Sequence, residues 1–243
     1  ISLAPEGGAH QSISTPLIGM AQDGLAAFEP AFVDELAVIM EWAFDYIQRD
    51  GLAGPGDWLR DANGGSVYLR LSTRPVDQPL REMTPELREG IIQGGYWLRK
   101  PAEGTQLAVA YTGVVAPEAA EAVGDLLNRH PGIGLLAITS ADRLNAGWQA
   151  AQRSRQTGTD PDAQAYVEHL LEPLARDAHL ITVCDGHPAA LAWLGSVHGH
   201  RSHPLGVEHF GQTGSIPDLY EKYRIGRTAI LEACRSALFG SRH

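Results

Sequence analysis

The chain reads as an α/β protein with a mainly parallel sheet, and three features of the sequence lead there. Short runs rich in Leu, Val and Ile recur at residues 107–111, 135–139 and 180–184, the composition of strands covered on both faces. Helical patterns stand between and after them, at 117–128, within 163–176 and at 188–197; strands alternating with helices build βαβ units with right-handed crossovers. The helices also carry start signals, Pro117 at an early helical position and Asp185 two residues ahead of His187-Pro188. A proline has no N–H to leave unpaired in a first turn, and an acidic side chain suits the positive end of a helix.

The earlier elements follow from spacing and punctuation. Phe32, Leu36, Ile39, Met40, Ala43, Phe44 and Ile47 recur at helical spacing, which predicts an amphipathic helix over 31–48 with these residues on its buried face. Asp50-Gly51 ends it, and 51–65, with five glycines and a proline among polar residues, reads as a surface loop. Residues 67–71 mix β-branched, aromatic and Leu side chains and predict a mostly buried strand. Three prolines and several charges in 73–85 make a linker, and a second unit begins near Gly90. Near the end, 199–204 reads as a loop, about 205–208 as a short strand, and 217–223 as a helix with Ser215 as its N-cap and Pro217 in its first turn.

Composition sets bounds. With 243 residues and 44% hydrophobic content, the chain can fill one large core or two modest ones, and two units are expected because domains commonly run ~100–150 residues. A formal charge of −10 argues against a nucleic-acid partner or an anionic membrane surface, both of which call for clustered Lys and Arg. Cys184 and Cys234 are too few and too far apart in sequence for a disulfide framework and read as reduced packing residues. No stretch reaches the ~18 consecutive apolar residues of a membrane span, and the first residues lack a basic stretch followed by an apolar run. A cytoplasmic location is the resulting expectation.

The chemistry-bearing motif is the opening, Ile1-Ser2-Leu3-Ala4-Pro5-Glu6-Gly7-Gly8-Ala9-His10-Gln11-Ser12. A carboxylate, two glycines and a histidine within five residues let backbone and imidazole approach a small ligand, although Gly-Gly also punctuates ordinary turns. Further motifs follow in order: Phe28-Glu29-Pro30-Ala31-Phe32 ahead of the long helix, Tyr68-Leu69-Arg70-Leu71-Ser72-Thr73-Arg74 running from a strand into a loop, Ile138-Thr139-Ser140 after a buried strand, and Val207-Glu208-His209-Phe210-Gly211-Gln212-Thr213-Gly214-Ser215. Their order and spacing resemble the transketolase superfamily of thiamine diphosphate enzymes. Within it, Thr139-Ser140 followed by Leu144, and the run 210–215, look most like the homodimeric decarboxylating component of pyruvate dehydrogenase.

That resemblance implies a partial pyrimidine-binding domain over 1–85, its back half plus a linker, followed by a transketolase C-terminal-like α/β domain over 86–243. It implies the C-terminal portion of a longer polypeptide, whose main cofactor ligands precede Ile1. The intact enzyme would use thiamine diphosphate and Mg, with neither expected on this portion alone. His10 falls on the position of a catalytic histidine that donates a hydrogen bond to a developing alkoxide or shuttles a proton, work suited to a group titrating near neutrality. Glu6 would orient His10 or a substrate hydroxyl, unless it is a solvated turn carboxylate. Arg74, just past a strand end, is a candidate substrate-binding cation or a structural ion pair. The implied reaction decarboxylates pyruvate, or another 2-oxo acid, and passes acetyl to a lipoyl-bearing acyltransferase. A homodimer is expected, because half of a sheet domain would leave the helix at 31–48 and the strand at 67–71 short of neighbours. The alternatives are a transketolase moving two-carbon units between sugar phosphates, and a noncatalytic dimerisation or regulatory module.

Other motifs weigh less. His198-x-His200-x-x-His203 has the residue type of a metal site but no Cys or carboxylate at a short spacing, so a polar surface loop is the expectation. Residues 210–215 lack the lysine of a phosphate-binding loop and are assigned to architecture. No Gly-x-Ser-x-Gly, His-Glu-x-x-His or Gly-x-Gly-x-x-Gly occurs, which removes the usual serine hydrolase, zinc protease and dinucleotide-binding readings.

Overall fold

The computed structural model describes residues 1–3, 8–22, 24–52, 59–209 and 211–240. In chain order its elements are α1 (Thr15–Met20), β1 (Leu25–Phe28), α2 (Val33–Tyr46), β2 (Ser66–Leu69), α3 (Pro85–Gln93), β3 (Gly95–Arg99), β4 (Thr105–Thr112), α4 (Ala116–Leu126), β5 (Gly134–Ile138), α5 (Ala141–Thr157), α6 (Tyr166–Leu171), β6 (Leu174–Val183), α7 (Ala189–Ala192), β7 (Arg201–Leu205), α8 (Ile216–Lys222) and α9 (Arg227–Gly240). The larger sheet has five strands in the order β3-β5-β4-β6-β7. Four run parallel and β3 is antiparallel at one edge. The mainly parallel α/β architecture read from the sequence is therefore present. β1 and β2 form a separate parallel pair.

Helices cover both faces of the larger sheet, which is why β5 and the stretch Leu107–Ala110 of β4 are apolar and buried. On one face α4 contributes Ala119, Ala122, Val123 and Leu126, and α9 contributes Ile230 and Cys234. On the other, Leu144 of α5, Val167, Leu170 and Leu171 of α6, and Leu191 of α7 close over Leu136, Ile138 and Leu180. The first of these cores continues into the small sheet and α2 through Phe28, Ile39, Trp42 and Tyr46.

A buried carboxylate ties this region together. Glu35, 1% exposed, accepts from the backbone N–H groups of Ala31 (2.7 Å) and Phe32 (3.0 Å) at the start of α2 and from the Tyr96 hydroxyl of β3 at 2.5 Å. Arg81, in the segment joining β2 to α3, holds Asp34 with two hydrogen bonds of 2.6 and 2.8 Å and donates to the Tyr96 oxygen at 2.7 Å. Burial pushes the Glu35 carboxyl up, against the hydrogen bonds that favour its charged form. A second tie joins the small sheet to α5. Ser140, the N-cap of α5, accepts from Arg143 N and donates to the Ala27 carbonyl at 2.6 Å. Asp142 in the first turn accepts from Ala27 N at 2.9 Å.

Several expectations are corrected. Phe44 and Ile47 are 57% and 51% exposed; the buried face of α2 keeps the expected Ile39 and Ala43 but is completed by Glu35, Val38, Trp42 and Tyr46. The helix is apolar on two sides, so spacing alone did not select the inner one. β2 alternates exposed and half-buried residues, because its only described strand neighbour is β1. The last strand of the larger sheet starts at Arg201, within the stretch read as a loop. α5, the longest helix at 17 residues, has no counterpart among the expected elements. The 73–85 segment contains no regular element before Pro85, as its prolines predict.

Two outcomes follow. Tyr96→Phe removes a donor from a buried carboxylate, and urea unfolding should show a loss of about 1–3 kcal/mol; a loss under about 0.5 kcal/mol would remove the Glu35 tie from the account. Burial raises Asp142 to about 6 from 3.8, so the folded state holds this proton more tightly than the unfolded state. The associated stability is complete below about pH 4 and is lost as pH rises through about 6. Asp142→Asn keeps an acceptor for Ala27 N and cannot ionise. It should flatten the pH dependence of stability across that window and exceed the parent at about pH 7.5, whereas parallel stability curves for the two proteins would contradict this.

Candidate active site

Parallel strands end together, and in open α/β sheets ligands bind outside their carboxyl ends. Here the residues that follow β1 (Glu29, Pro30), β2 (Arg70, Leu71, Ser72), β4 (Gly113, Val114) and β6 (Asp185) line one cavity of about 190 Å³. The opening segment supplies Ile1, Ser2, Leu3 and His10, and the segment before α8 supplies Gln212, Thr213 and Gly214. Motifs separated by up to two hundred residues in sequence thus share a single wall.

His10 ends a 3₁₀ turn over Gly8–His10 and is solvent-exposed at the cavity. The neighbouring Gln11 is laced to the 211–214 segment, accepting from Gly211 N at 2.9 Å and donating to the Gln212 carbonyl at 2.8 Å. Gly8 N donates to the Thr213 hydroxyl at 3.2 Å. A Cβ on Gly8 would lie 2.0 Å from the Gly211 carbonyl oxygen, so only glycine permits this approach. Residues 212–214 line the cavity in addition to the architectural part expected of the run; Ser215 caps α8, accepting from Asp218 N. Glu6 lies outside the described residues.

Asp185, 3% exposed, anchors the other end of the opening segment by accepting from the main-chain nitrogens of Ile1 and Ser2 at 2.6 and 2.8 Å. Arg70 bridges the two sheets: its guanidinium is ion-paired with Glu29 and donates to the Asp185 carbonyl at 2.7 Å and to the Ser12 carbonyl at 3.5 Å. Burial pushes the Glu29 carboxyl up, opposed by Arg70. Gly113, at φ 61°, makes room for this pair, since a Cβ there would lie 2.6 Å from Glu29 Oε1. Burial pushes the Cys184 thiol up as well, leaving a packing residue rather than a nucleophile.

Arg74 does not line this cavity. It makes two hydrogen bonds to Glu118 of α4, at 2.7 and 3.0 Å, and donates to the Val114 carbonyl and the Tyr220 hydroxyl. The cation that faces the cavity is Arg70, four residues earlier. Its place at a strand end was as visible in the sequence as that of Arg74, but its partners, Glu29 and Asp185, are distant in sequence.

The histidine cluster is divided. His198 Nε2 sits 2.8 Å from the Glu168 carbonyl, and His179 Nδ1 lies 2.8 Å from His203 Nε2. His200 is buried beside the His198 ring, directly ahead of β7, and the residues of β7 itself are exposed or half-buried, so the stretch read as a polar surface loop is in part an edge strand. Among the described residues no group of three His, Cys, Asp or Glu side chains is arranged to hold a metal ion. Among the described residues that line the cavity there is one guanidinium, already paired, and no lysine or second arginine for a diphosphate. The described residues therefore do not make a thiamine diphosphate site by themselves. No helix among them is long and apolar enough to cross a membrane.

No family model and no curated protein matches the chain. Solved structures do. A transketolase from Leishmania mexicana matches all of the chain at TM-score 0.68 with 14% identity, over 29% of its own length. A Pichia stipitis transketolase in complex with sedoheptulose 7-phosphate matches 99% of the chain at TM-score 0.66 and 17% identity, again over 29% of its length. A split-gene transketolase, solved as an inactive β4 tetramer, matches 96% of the chain at TM-score 0.56 and 16% identity, over 63% of its length. The chain spans about three tenths of the length of the first two transketolases. It has the fold of that portion of a transketolase.

Proposed function

We propose that this chain is the carboxyl-side portion of a thiamine diphosphate enzyme that acts on a small 2-oxo acid, pyruvate above all, and hands the acyl group to a lipoyl-bearing acyltransferase. The observation that carries the reading is the cavity where four strand ends, His10 and Arg70 meet. Thiamine diphosphate, bound with Mg in the intact enzyme, would supply the electron sink for loss of carbon dioxide. The chain's own groups have narrower tasks. His10 holds or donates a proton at the oxygen of the reacting carbonyl, where negative charge develops. Gln11 and the 211–214 segment fix the turn that carries it. Asp185 fixes Ile1 and Ser2, and with them the start of the opening segment.

Size and charge favour a 2-oxo acid over a sugar phosphate. At about 190 Å³ the cavity is smaller than the ~300–1,000 Å³ common for pockets that hold drug-sized ligands, which suits a small ligand. Its described lining holds two carboxylates and one arginine already paired with one of them, a poor setting for a phosphate dianion. The transketolase reading takes its support from the structural neighbours, one of which is solved with sedoheptulose 7-phosphate. A separate noncatalytic subunit takes support from the split-gene transketolase. A homodimer is consistent with the exposed Phe44, Ile47, Leu71 and Leu80.

The test is turnover by the polypeptide that carries this chain, supplied with thiamine diphosphate and Mg, comparing pyruvate with xylulose 5-phosphate. The expected result is pyruvate-dependent carbon dioxide release that falls at least about tenfold in His10→Ala, or about 1.4 kcal/mol of transition-state stabilisation. Turnover of the sugar phosphate alone would move the assignment to transketolase, and thiamine-independent silence on both would leave the noncatalytic subunit.

A further inference from the structure

We propose that Arg70 is the anchor for the carboxylate of the substrate, and that the incoming anion reaches it by displacing Glu29, which takes up a proton from solvent as it is released. The proposal rests on the 2-oxo acid reading for the identity of the anion. Its geometric basis is the resident pair: Glu29 and Arg70 follow adjacent parallel strands and face the same cavity as His10. A guanidinium carries five N–H groups. Arg70 spends Nη1 on Glu29 and Nη2 on the Asp185 and Ser12 carbonyls, and its Nε–H has no partner among the described residues. The side chain is therefore held in place from behind by main-chain carbonyls, while the contact on its remaining side is with a carboxylate, the group that a 2-oxo acid would supply.

Charge decides the rest. With Glu29 ionised, a second carboxylate on Arg70 would put two anions on one cation, next to Asp185. Protonation of Glu29 removes that repulsion. The exchange balances: anion plus proton enter, Glu29 becomes neutral, and Arg70 keeps one carboxylate partner. The titratable groups around Glu29 are Arg70 after β2, Asp185 and Cys184 after β6, and His10 in the opening turn; the main-chain nitrogen of Ile1 approaches through Asp185. Burial already pushes the Glu29 carboxyl up, so the proton is taken up at modest cost.

Calorimetric titration of the chain with pyruvate, in two buffers of different ionisation enthalpy at neutral pH, tests this without any catalytic step. The expected result is uptake of about one proton per pyruvate bound. Glu29→Gln should bind pyruvate at least as tightly with uptake near zero, and Arg70→Gln should weaken binding about ten- to a hundredfold, the loss of a charge-assisted contact. Arg70→Lys, which keeps the charge but not the fork, should fall between them, and thermal melts of each variant confirm folding. Unchanged pyruvate affinity in a folded Arg70→Gln variant, proton uptake that persists in Glu29→Gln, or no pyruvate binding by the parent chain would overturn the proposal. Tighter, Arg70-dependent binding of xylulose 5-phosphate would keep the anchor and overturn the 2-oxo acid reading instead.

Discussion

Burying charge is costly unless it is paired and hydrogen-bonded, and that constraint organises this molecule from α2 outward. Glu35 sits where α2, β3 and the joining segment meet, and its carboxylate accepts three hydrogen bonds, from two backbone N–H groups and the Tyr96 hydroxyl, with Arg81 alongside. Because Arg81 also holds Asp34, a segment without regular structure is fixed against both the small sheet's helix and the large sheet's edge strand. The relative placement of β1, β2 and the large sheet thus involves polar contacts as well as the shared apolar core.

The same rule acts at the strand ends. There Glu29, Arg70 and Asp185 are brought together by parallel topology rather than by sequence proximity, and each is satisfied by another member or by main-chain groups. Two glycines make this possible by absence of a side chain, Gly113 beneath Glu29 and Gly8 against Gly211. The outcome is a cavity walled by the segments that follow four strands, with the exposed imidazole of His10 in its lining. Such an arrangement suits a site that must orient a small anion and manage one proton.

The central βαβ units were legible because buried parallel strands are continuous apolar runs and their helices begin with Pro or a capping residue. α5 was not, because Ala-Asp-Arg-Leu-Asn-Ala-Gly-Trp spaces its few large apolar residues among small and charged ones; its signals were the Ser140 cap and the positive-φ Gly158 that ends it. The inner face of α2 was legible only in part: Phe32, Ile39 and Ala43 are buried as their spacing predicts, but Glu35 occupies a core position that periodicity assigns to an apolar residue. His10 stood out within a local motif. Arg70 did not, since its partners lie 41 and 115 residues away and a strand-end arginine gains meaning only when those partners are placed beside it.

The most direct measurement is a crystal structure of the polypeptide carrying this chain, with thiamine diphosphate, Mg and a phosphonate analogue of pyruvate that cannot lose carbon dioxide. The account places the analogue in the cavity bounded by Glu29, Arg70 and Asp185, with His10 within hydrogen-bond reach of its acyl oxygen. Density for the analogue elsewhere, with this cavity walled off from the cofactor, would contradict it.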